Sequence, residues 1–341
     1  MRRKNFLEDR GSMKAETIWA ITDGKAGMVN QARGLAHAIA REAGGDIVEK
    51  VIVPCGPWAI LPAGLWPSGV SGIGPGSDNF SAPWPKIVVS CGRHAIGPAV
   101  WIKRQNDGQT AIVHAQHPRT AAARFDVIVA QSHDALDGAN VLTVQGSMHD
   151  VTDASLAAAR EKWSDLFAKL PRPLIAVLIG GSNKTYRMTT EVTRRLAADL
   201  SRLRTAKGCG LLVTASRRTG AANLAILREE LSLPDIYFWD GSGENPYHAF
   251  LAAADAFLVS ADSVNMVSEA CFTGKPVYVL PLEGGGGSKF ERFHNEMRGA
   301  GHTKTFVGEL EDWHPNRLDQ TSYAAREITA RLGGGGSTQV E

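Results

Sequence analysis

Three kinds of side chain in this sequence stand where they could do chemistry, and each follows a run of strand-like residues. Glycine-rich turns are the first kind. "ITDGKAGMVNQ" sets Gly24 and Gly27 after an apolar run, with Gln31 one helical turn further on; "VLIGGSNKTYR" sets Gly180, Gly181 and Ser182 the same way, followed by Asn183 and Lys184. Backbone N–H groups left free at a helix start bind phosphate, although a tight strand-to-helix turn is also an ordinary structural device. Neither turn is a GxGxxG, and Leu178 and Asn183 stand where a P-loop requires glycine, which argues against a nucleotide kinase of that type. "TASRRTG" then supplies Ser216, Arg217, Arg218 and Thr219. Arginines at such a strand end can fork onto phosphate oxygens.

Histidines are the second kind. "CGRHA", "HAQHPR", "QSHD" and "QGSMHD" all follow apolar runs, so Arg93, His117, Arg119, His133 and His149 are expected to crowd one rim of a sheet. None of the histidines has the i, i+4 spacing of a helical zinc site, and neutral imidazoles serving as bases or donors fit better than metal ligands. The chain has no D-x-D, which disfavours an enzyme that holds a pyrophosphate through a metal. The third kind is a lone carboxylate. In "SADSVNMVSEACFTGKPVYVLP", Glu269 sits among small and apolar residues on a short helix that Ser263 can cap and that Gly274 and Pro276 end.

The elements that must position these residues alternate strand and helix almost from end to end. Such βα units predict parallel sheets covered on both faces. The alternation breaks at "KLPRPL" and restarts, which predicts two Rossmann-like domains facing each other across a cleft. The expected division is a tail over residues 1–14, a first domain over 15–170, a second over 171–314, a helix over 315–332 returning to the first domain, and a tail over 333–341. Residues 54–85 interrupt the pattern with Trp58, Trp66 and Trp84 among many Gly and Pro. That segment reads either as an ordered loop covering the core or as an apolar patch for a lipid or membrane surface.

Composition bounds the rest. The chain has 341 residues, 43% hydrophobic and 21% charged, with a net charge of +2, so nothing calls for nucleic acid. Its four cysteines are scattered without a CxxC pair, which fits a reducing compartment and no structural zinc. The first dozen residues lack an apolar signal core, and no apolar run approaches membrane-spanning length. A cytoplasmic protein is expected, peripheral at most to the inner face of the membrane.

Together the motifs resemble the mitochondrial-fission family, the bacterial relatives of the plant "elongated mitochondria" protein, from Trp19 to about Phe306. "DGKAGMVNQARGLA", "IGGSNKTYR", "TASRRT", "KFERFH" and above all "FLAAADAFLVSADSVNMVSEACFTGKPVYVLPLEGG" carry the likeness. His94 stands where that family usually has a second arginine, and the run Gly284–Gly287 is longer than usual. The family in turn looks like a GT-B glycosyltransferase, whose second domain carries a helix ending E-A-x-x-x-G-x-P, here Glu269, Ala270, Gly274 and Pro276. The resemblance implies that Glu269 accepts hydrogen bonds from a nucleotide ribose. It also implies that Asp262, Ser263, Met266 and Ser268 line the neighbouring sugar or phosphate pocket.

The expected activity is glycosyl transfer from a nucleotide-diphosphate sugar, without a metal or other cofactor, to an acceptor that the sequence does not identify, a lipid or membrane-surface group being one candidate. The leaving diphosphate would be held by backbone N–H groups of Gly180–Ser182, by Arg217 or Arg218, and by Lys184 or Lys289. Asp23 is the first choice of base and His117 the second. Gly24, Gly27, Gln31, Arg93, Arg119 and His149 fall on the acceptor side. The alternatives are a nucleoside-diphosphate-sugar epimerase of the same fold and a non-catalytic scaffold that recruits partners at a membrane.

Overall fold

The structure is a computed structural model and describes residues 17–62 and 69–333. The expected terminal tails, and Trp66 of the Trp-rich segment, lie outside those residues. In the first half, β1 (Thr17–Thr22), β2 (Asp46–Val51), β3 (Ile87–Cys91), β4 (Ala111–Ala115), β5 (Val127–Gln131) and β6 (Val141–Val144) form one parallel sheet in the order β2-β1-β3-β4-β5-β6. The second half runs β7 (Leu174–Ile179), β8 (Tyr186–Arg187), β9 (Gly210–Ala215), β10 (Ile236–Phe238), β11 (Ala256–Ser260), β12 (Val277–Leu280), β13 (Glu283–Gly284) and β14 (Lys304–Thr305). Six of these form a second parallel sheet, β10-β9-β7-β11-β12-β14, and β8 pairs antiparallel with β13. Strands β3 and β7 are buried at every position, as strands covered on both faces must be. In each sheet the strand order reverses beside the first strand, and ligands of such folds gather at that point.

The helices follow from side-chain spacing and caps. In α1 (Ala26–Ala43), Leu35, Ala36 and Ile39 enter the first core. In the second half, Thr189 caps α5 (Thr190–Lys207) by accepting the Val192 N–H, and α6 (Ala221–Glu230) and α7 (Tyr247–Ala253) follow. Ser263 caps α8 (Val264–Phe272) and Ser288 caps α9 (Lys289–Gly299) in the same way. Two helices differ from the sequence reading. α2 (Arg93–Gln105) was not expected, because Gly97 and Pro98 inside it obscure the helical period. The apolar and charged run ahead of "KLPRPL", which reads as one long helix over 154–170, is divided at Trp163 into α3 (Asp153–Lys162) and α4 (Ser164–Phe167).

Two segments tie the halves together. Leu156, Ala159 and Trp163, a stripe along α3 and its end, pack against the second core rather than the first. In return, α10 (Gln320–Gly333) inserts Ala324, Ala325 and Ile328 into the first core. This is the return of the chain that the sequence led one to expect. The Trp-rich segment covers the core where it is described: Trp84 stacks edge-on against Trp19 at 6.1 Å and Trp101 at 5.5 Å. Among the described residues no helix is long and apolar enough to cross a membrane. Because Ile328 is fully buried, Ile328→Ala should destabilise the protein by about 3 kcal/mol in urea unfolding. A loss below about 1 kcal/mol would mean that α10 is not docked on the first core.

Candidate functional site

Two adjoining cavities, which share Met28 and Gln116, lie at the carboxyl ends of the strands between the halves. The larger, about 590 Å³, is built by loops of the first half and closed by Lys184 of the second. The smaller, about 360 Å³, is lined from both sides.

The larger cavity is centred on Asp23, just past β1. His94, at the start of α2, donates from Nδ1 to Asp23 Oδ2 at 2.9 Å, and Lys25 makes an ion pair with the same oxygen. Burial acts to raise the Asp23 carboxyl, but the hydrogen bonds from Lys25 and His94 outweigh it and hold the pKa below the usual carboxylate value. Asp23 is therefore held ionised, with Oδ2 engaged by both groups. Arg93 Nε lies 3.0 Å from His94 Nε2. A guanidinium can only donate, so Nε2 is the acceptor and Nδ1 carries the proton. The same guanidinium reaches the carbonyls of Ala59 and Ile60. His117 receives the Arg119 N–H at Nδ1 at 2.9 Å, which leaves its other nitrogen as a donor facing the cavity. His114 is neutral, because burial pushes it down to about 3.

Positive charge dominates here. Lys25, Arg93, Arg119 and Lys184 line the larger cavity against one carboxylate, Asp23. Arg119 and Lys184 make no ion pair with any described residue, whereas Lys25 is paired and Arg93 is spent on carbonyls. Among the described residues no three of His, Cys, Asp and Glu converge as metal ligands would.

The smaller cavity gathers Gly27, Gln31, Asn183, Arg218, Asp262 and Ser263, all named from the sequence. Arg218 is paired with Asp262 at 2.6 Å, and Lys289 with Asp134 at 3.4 Å. Gln31 donates to Asn265 Oδ1 at 3.2 Å and accepts from Gln116 at 3.1 Å, so an amide chain links the halves across the opening.

Several expected residues lie elsewhere. The N–H groups of Gly180–Ser182 do not form the expected phosphate cradle. Gly180 N–H is held by Ser260 Oγ at 2.7 Å and Ser182 N–H by the Arg218 carbonyl at 3.2 Å. These glycines are packing devices: a Cβ on Gly180 would fall 2.2 Å from Asp262, and one on Gly181 2.1 Å from the Arg218 carbonyl oxygen. Ser216 and Thr219 are likewise committed, both hydroxyls donating to the Gly180 carbonyl. Gly24 bonds back to Thr22, Arg217 projects to solvent, and Met266 packs on the second core. Ser268 accepts the Ser147 N–H at 2.9 Å and so pins the two halves together. His149 is buried against Phe272 at 5.2 Å, well outside the acceptor side, and burial lowers it to about 4.

Glu269 lines neither cavity. Its carboxylate is 3% exposed, takes a hydrogen bond from the Tyr247 hydroxyl and is further bonded by Asn30 of the first half. Burial pushes its pKa up to about 7, with Asp150 adding to the rise and the Tyr247 and Asn30 hydrogen bonds opposing it. The sequence reading placed this acid correctly on a short buried helix. What it faces was decided by α1 and α7, from distant parts of the chain. His94, Lys25, Gln116, Asn265 and Tyr247 were given no role from the sequence. For His94 the signal was present, as the departure from the family pattern within "CGRHA".

Residues 26–332 match the family described as Mitochondrial fission ELM1. The chain belongs to that family. It is 34% identical over 276 residues to the Mitochondrial fission protein ELM1 of Arabidopsis thaliana, covering 73% of this chain and 64% of the plant protein. An uncharacterised Rickettsia prowazekii protein is 26% identical over 154 residues, 44% of this chain and 43% of that one. The chain thus spans less than two thirds of the length of these relatives. Among solved structures, UDP-GlcNAc 2-epimerase of Methanocaldococcus jannaschii superposes with a TM-score of 0.55 at 13% identity, over 94% of this chain and 99% of that one. The Rickettsia bellii UDP-N-acetylglucosamine 2-epimerase gives 0.50 at 12%, over 94% and 97%. The fold of this family member is therefore the GT-B fold, with two Rossmann-like units across a cleft.

The raised Glu269 pKa has a measurable consequence. Between its ordinary 4.5 and about 7 the folded protein holds a proton that the unfolded chain has released. Stability tied to Glu269 is therefore present below 4.5 and is lost as pH rises through 7. Relative to Glu269→Gln, the wild type should lose up to about 3 kcal/mol across that window. Parallel stability–pH curves for the two proteins would refute it.

Proposed function

We propose that this chain transfers a sugar from a nucleoside-diphosphate sugar to an acceptor hydroxyl, with the charge of the leaving diphosphate carried by side chains rather than a metal. The observation that carries the reading is the Asp23–His94 pair opening into a cavity with an excess of cations. Asp23, held ionised by Lys25 and His94, fixes the imidazole with its proton on Nδ1, so Nε2 is the nitrogen that can take a proton, in exchange for its present contacts with Arg93 Nε at 3.0 Å and the Ala59 carbonyl at 3.3 Å. The acceptor proton passes to His94 Nε2 as the acceptor oxygen bonds to the sugar carbon. The bond from that carbon to the diphosphate oxygen breaks, and the electron pair leaves with the diphosphate. Arg119 and Lys184, which make no ion pair with any described residue, line the larger cavity from the two halves and suit that leaving group. His117, with one nitrogen held by Arg119, serves as a donor to the same oxygens.

The epimerase reading shares the fold and the ligand. It asks for more than one acid–base carboxylate around the sugar, whereas Asp23 is the one carboxylate lining the larger cavity and Asp262, in the smaller, is paired with Arg218. Glycosyl transfer needs only one base and is favoured on that ground. Of the first-half residues read from the sequence as facing the acceptor, Arg93 keeps that place in this scheme, whereas Arg119 is assigned to the leaving diphosphate.

Release of nucleoside diphosphate from UDP-, GDP- and TDP-sugars tests the assignment. His94→Asn and Asp23→Asn should each lower kcat by about 10²- to 10⁴-fold with little change in KM. Lys184→Ala should instead raise KM by about tenfold, the loss of one charge-assisted hydrogen bond. Undiminished turnover in His94→Asn would exclude the dyad. No binding of any of these sugars by the wild type would exclude nucleotide-sugar chemistry altogether.

A further inference from the structure

His133 is 1% exposed and lines the smaller cavity, yet neither ring nitrogen has a hydrogen-bond partner. Buried polar groups are paired almost without exception, so a histidine with both nitrogens unsatisfied needs an explanation. Its placement is not loose. The ring edge packs on Phe293 at 5.5 Å, and Arg292 of α9 clamps the His133 carbonyl from two nitrogens at 3.1 and 3.3 Å. The ring is thus fixed by both halves and borders the hollow between them, with both nitrogens covered.

Resting on the nucleotide-sugar reading above, we propose that the smaller cavity is the sugar pocket and that His133 is its specificity-determining residue, hydrogen-bonded to a ring hydroxyl of the donor. The charge balance of the two cavities separates the parts of the ligand. In the smaller one each cation is matched: Arg218 by Asp262 and Lys289 by Asp134. What remains is carboxamide and imidazole, from Gln31, Gln116, Gln131, Asn183, Asn265 and His133. Such a lining presents donors and acceptors in similar number and no net charge, which suits a polyhydroxylated neutral ring. The larger cavity, with unmatched cations, suits the diphosphate.

A neutral imidazole has one donor and one acceptor nitrogen, and a hydroxyl group both gives and takes a hydrogen bond. A phosphate oxygen only accepts and would call for the imidazolium form. Burial opposes that form: it is the main cause of a lowered His133 pKa, ahead of the facing charges of Asp134, Lys289, Glu296 and Arg292. The amide chain from Gln116 through Gln31 to Asn265 is already oriented by its own hydrogen bonds, and Asn183 Oδ1 is held by the N–H groups of Thr185 and Tyr186. Most of the wall is therefore pre-set by hydrogen bonds of its own, whereas neither His133 ring nitrogen has one.

Calorimetric titration of the full chain with UDP and UDP-glucose, and with GDP and GDP-mannose, tests the assignment. The wild type should bind one nucleotide sugar at least tenfold more tightly than the matching diphosphate. His133→Phe keeps the shape and the Phe293 contact; it should erase that advantage while leaving diphosphate affinity unchanged, and His133→Gln should restore part of it. If His133→Phe does not fold, Gln131→Met, on the same wall, should reduce the advantage in the same selective way. An unchanged advantage in the folded variants, or a wild type in which the sugar adds nothing to diphosphate binding, would overturn the sugar pocket while leaving the nucleotide reading intact. A wild type that binds neither the diphosphates nor their sugars would overturn both.

Discussion

The arrangement of the two halves depends on one short stretch of chain that belongs to both cores. Leu318 is buried in the second core, its N–H bonded to the Cys271 carbonyl at 3.1 Å, and a few residues later Ala324, Ala325 and Ile328 are buried in the first. Asp319 accepts the Ser322 N–H at 3.0 Å and starts the helix between these anchors. So short a tether leaves little freedom in how the halves face each other. α3 crosses in the opposite direction, so two strands of connection fix the width of the cleft.

Around that tether, beside the apolar packing of α3 on the second core, a set of hydrogen bonds crosses between the halves. Ser147 to Ser268, Gln31 to Asn265, Asn30 to Glu269 and Arg292 to His133 are all of this kind. An interface of hydrogen bonds can exchange partners with a ligand at modest cost, because each bond lost to a ligand is replaced. An apolar interface of the same area would resist opening. Two departures from full pairing border the cavities: cations without counter-charges in one and an unpartnered imidazole in the other.

The glycines show how a motif can be read correctly and explained wrongly. Gly180 and Gly181 do sit in a tight turn after the first strand of their half, as the sequence led one to expect. They are required by the nearness of Asp262 and the Arg218 carbonyl, side chains and backbone from other strands, and not by a ligand. Likewise Gly284 and Gly285 lie flat against Thr185 and Tyr186, while Gly286 faces open space, so the long glycine run has room beyond what the pairing of β13 demands.

The alternation of apolar runs and helices was legible because burial on both faces of a parallel sheet imposes a local pattern that each residue's own type reports. So were the returning terminal helix, the buried setting of Glu269 and the gathering of Arg93, His117 and Arg119 in one cavity, although His149, expected with them, is buried elsewhere. α2 was hidden, since Gly97 and Pro98 weaken the local signal that packing against β3 and β4 restores. What each polar side chain touches could not be read at all. Asp23 meets His94 across 71 positions, and Glu269 meets Tyr247 and Asn30 from separate elements. Element type is a sum of near-neighbour preferences and is written locally, whereas hydrogen-bond partners, unmatched charges and pKa values depend on which distant groups folding brings within about 3 Å. Only the tertiary structure settles those.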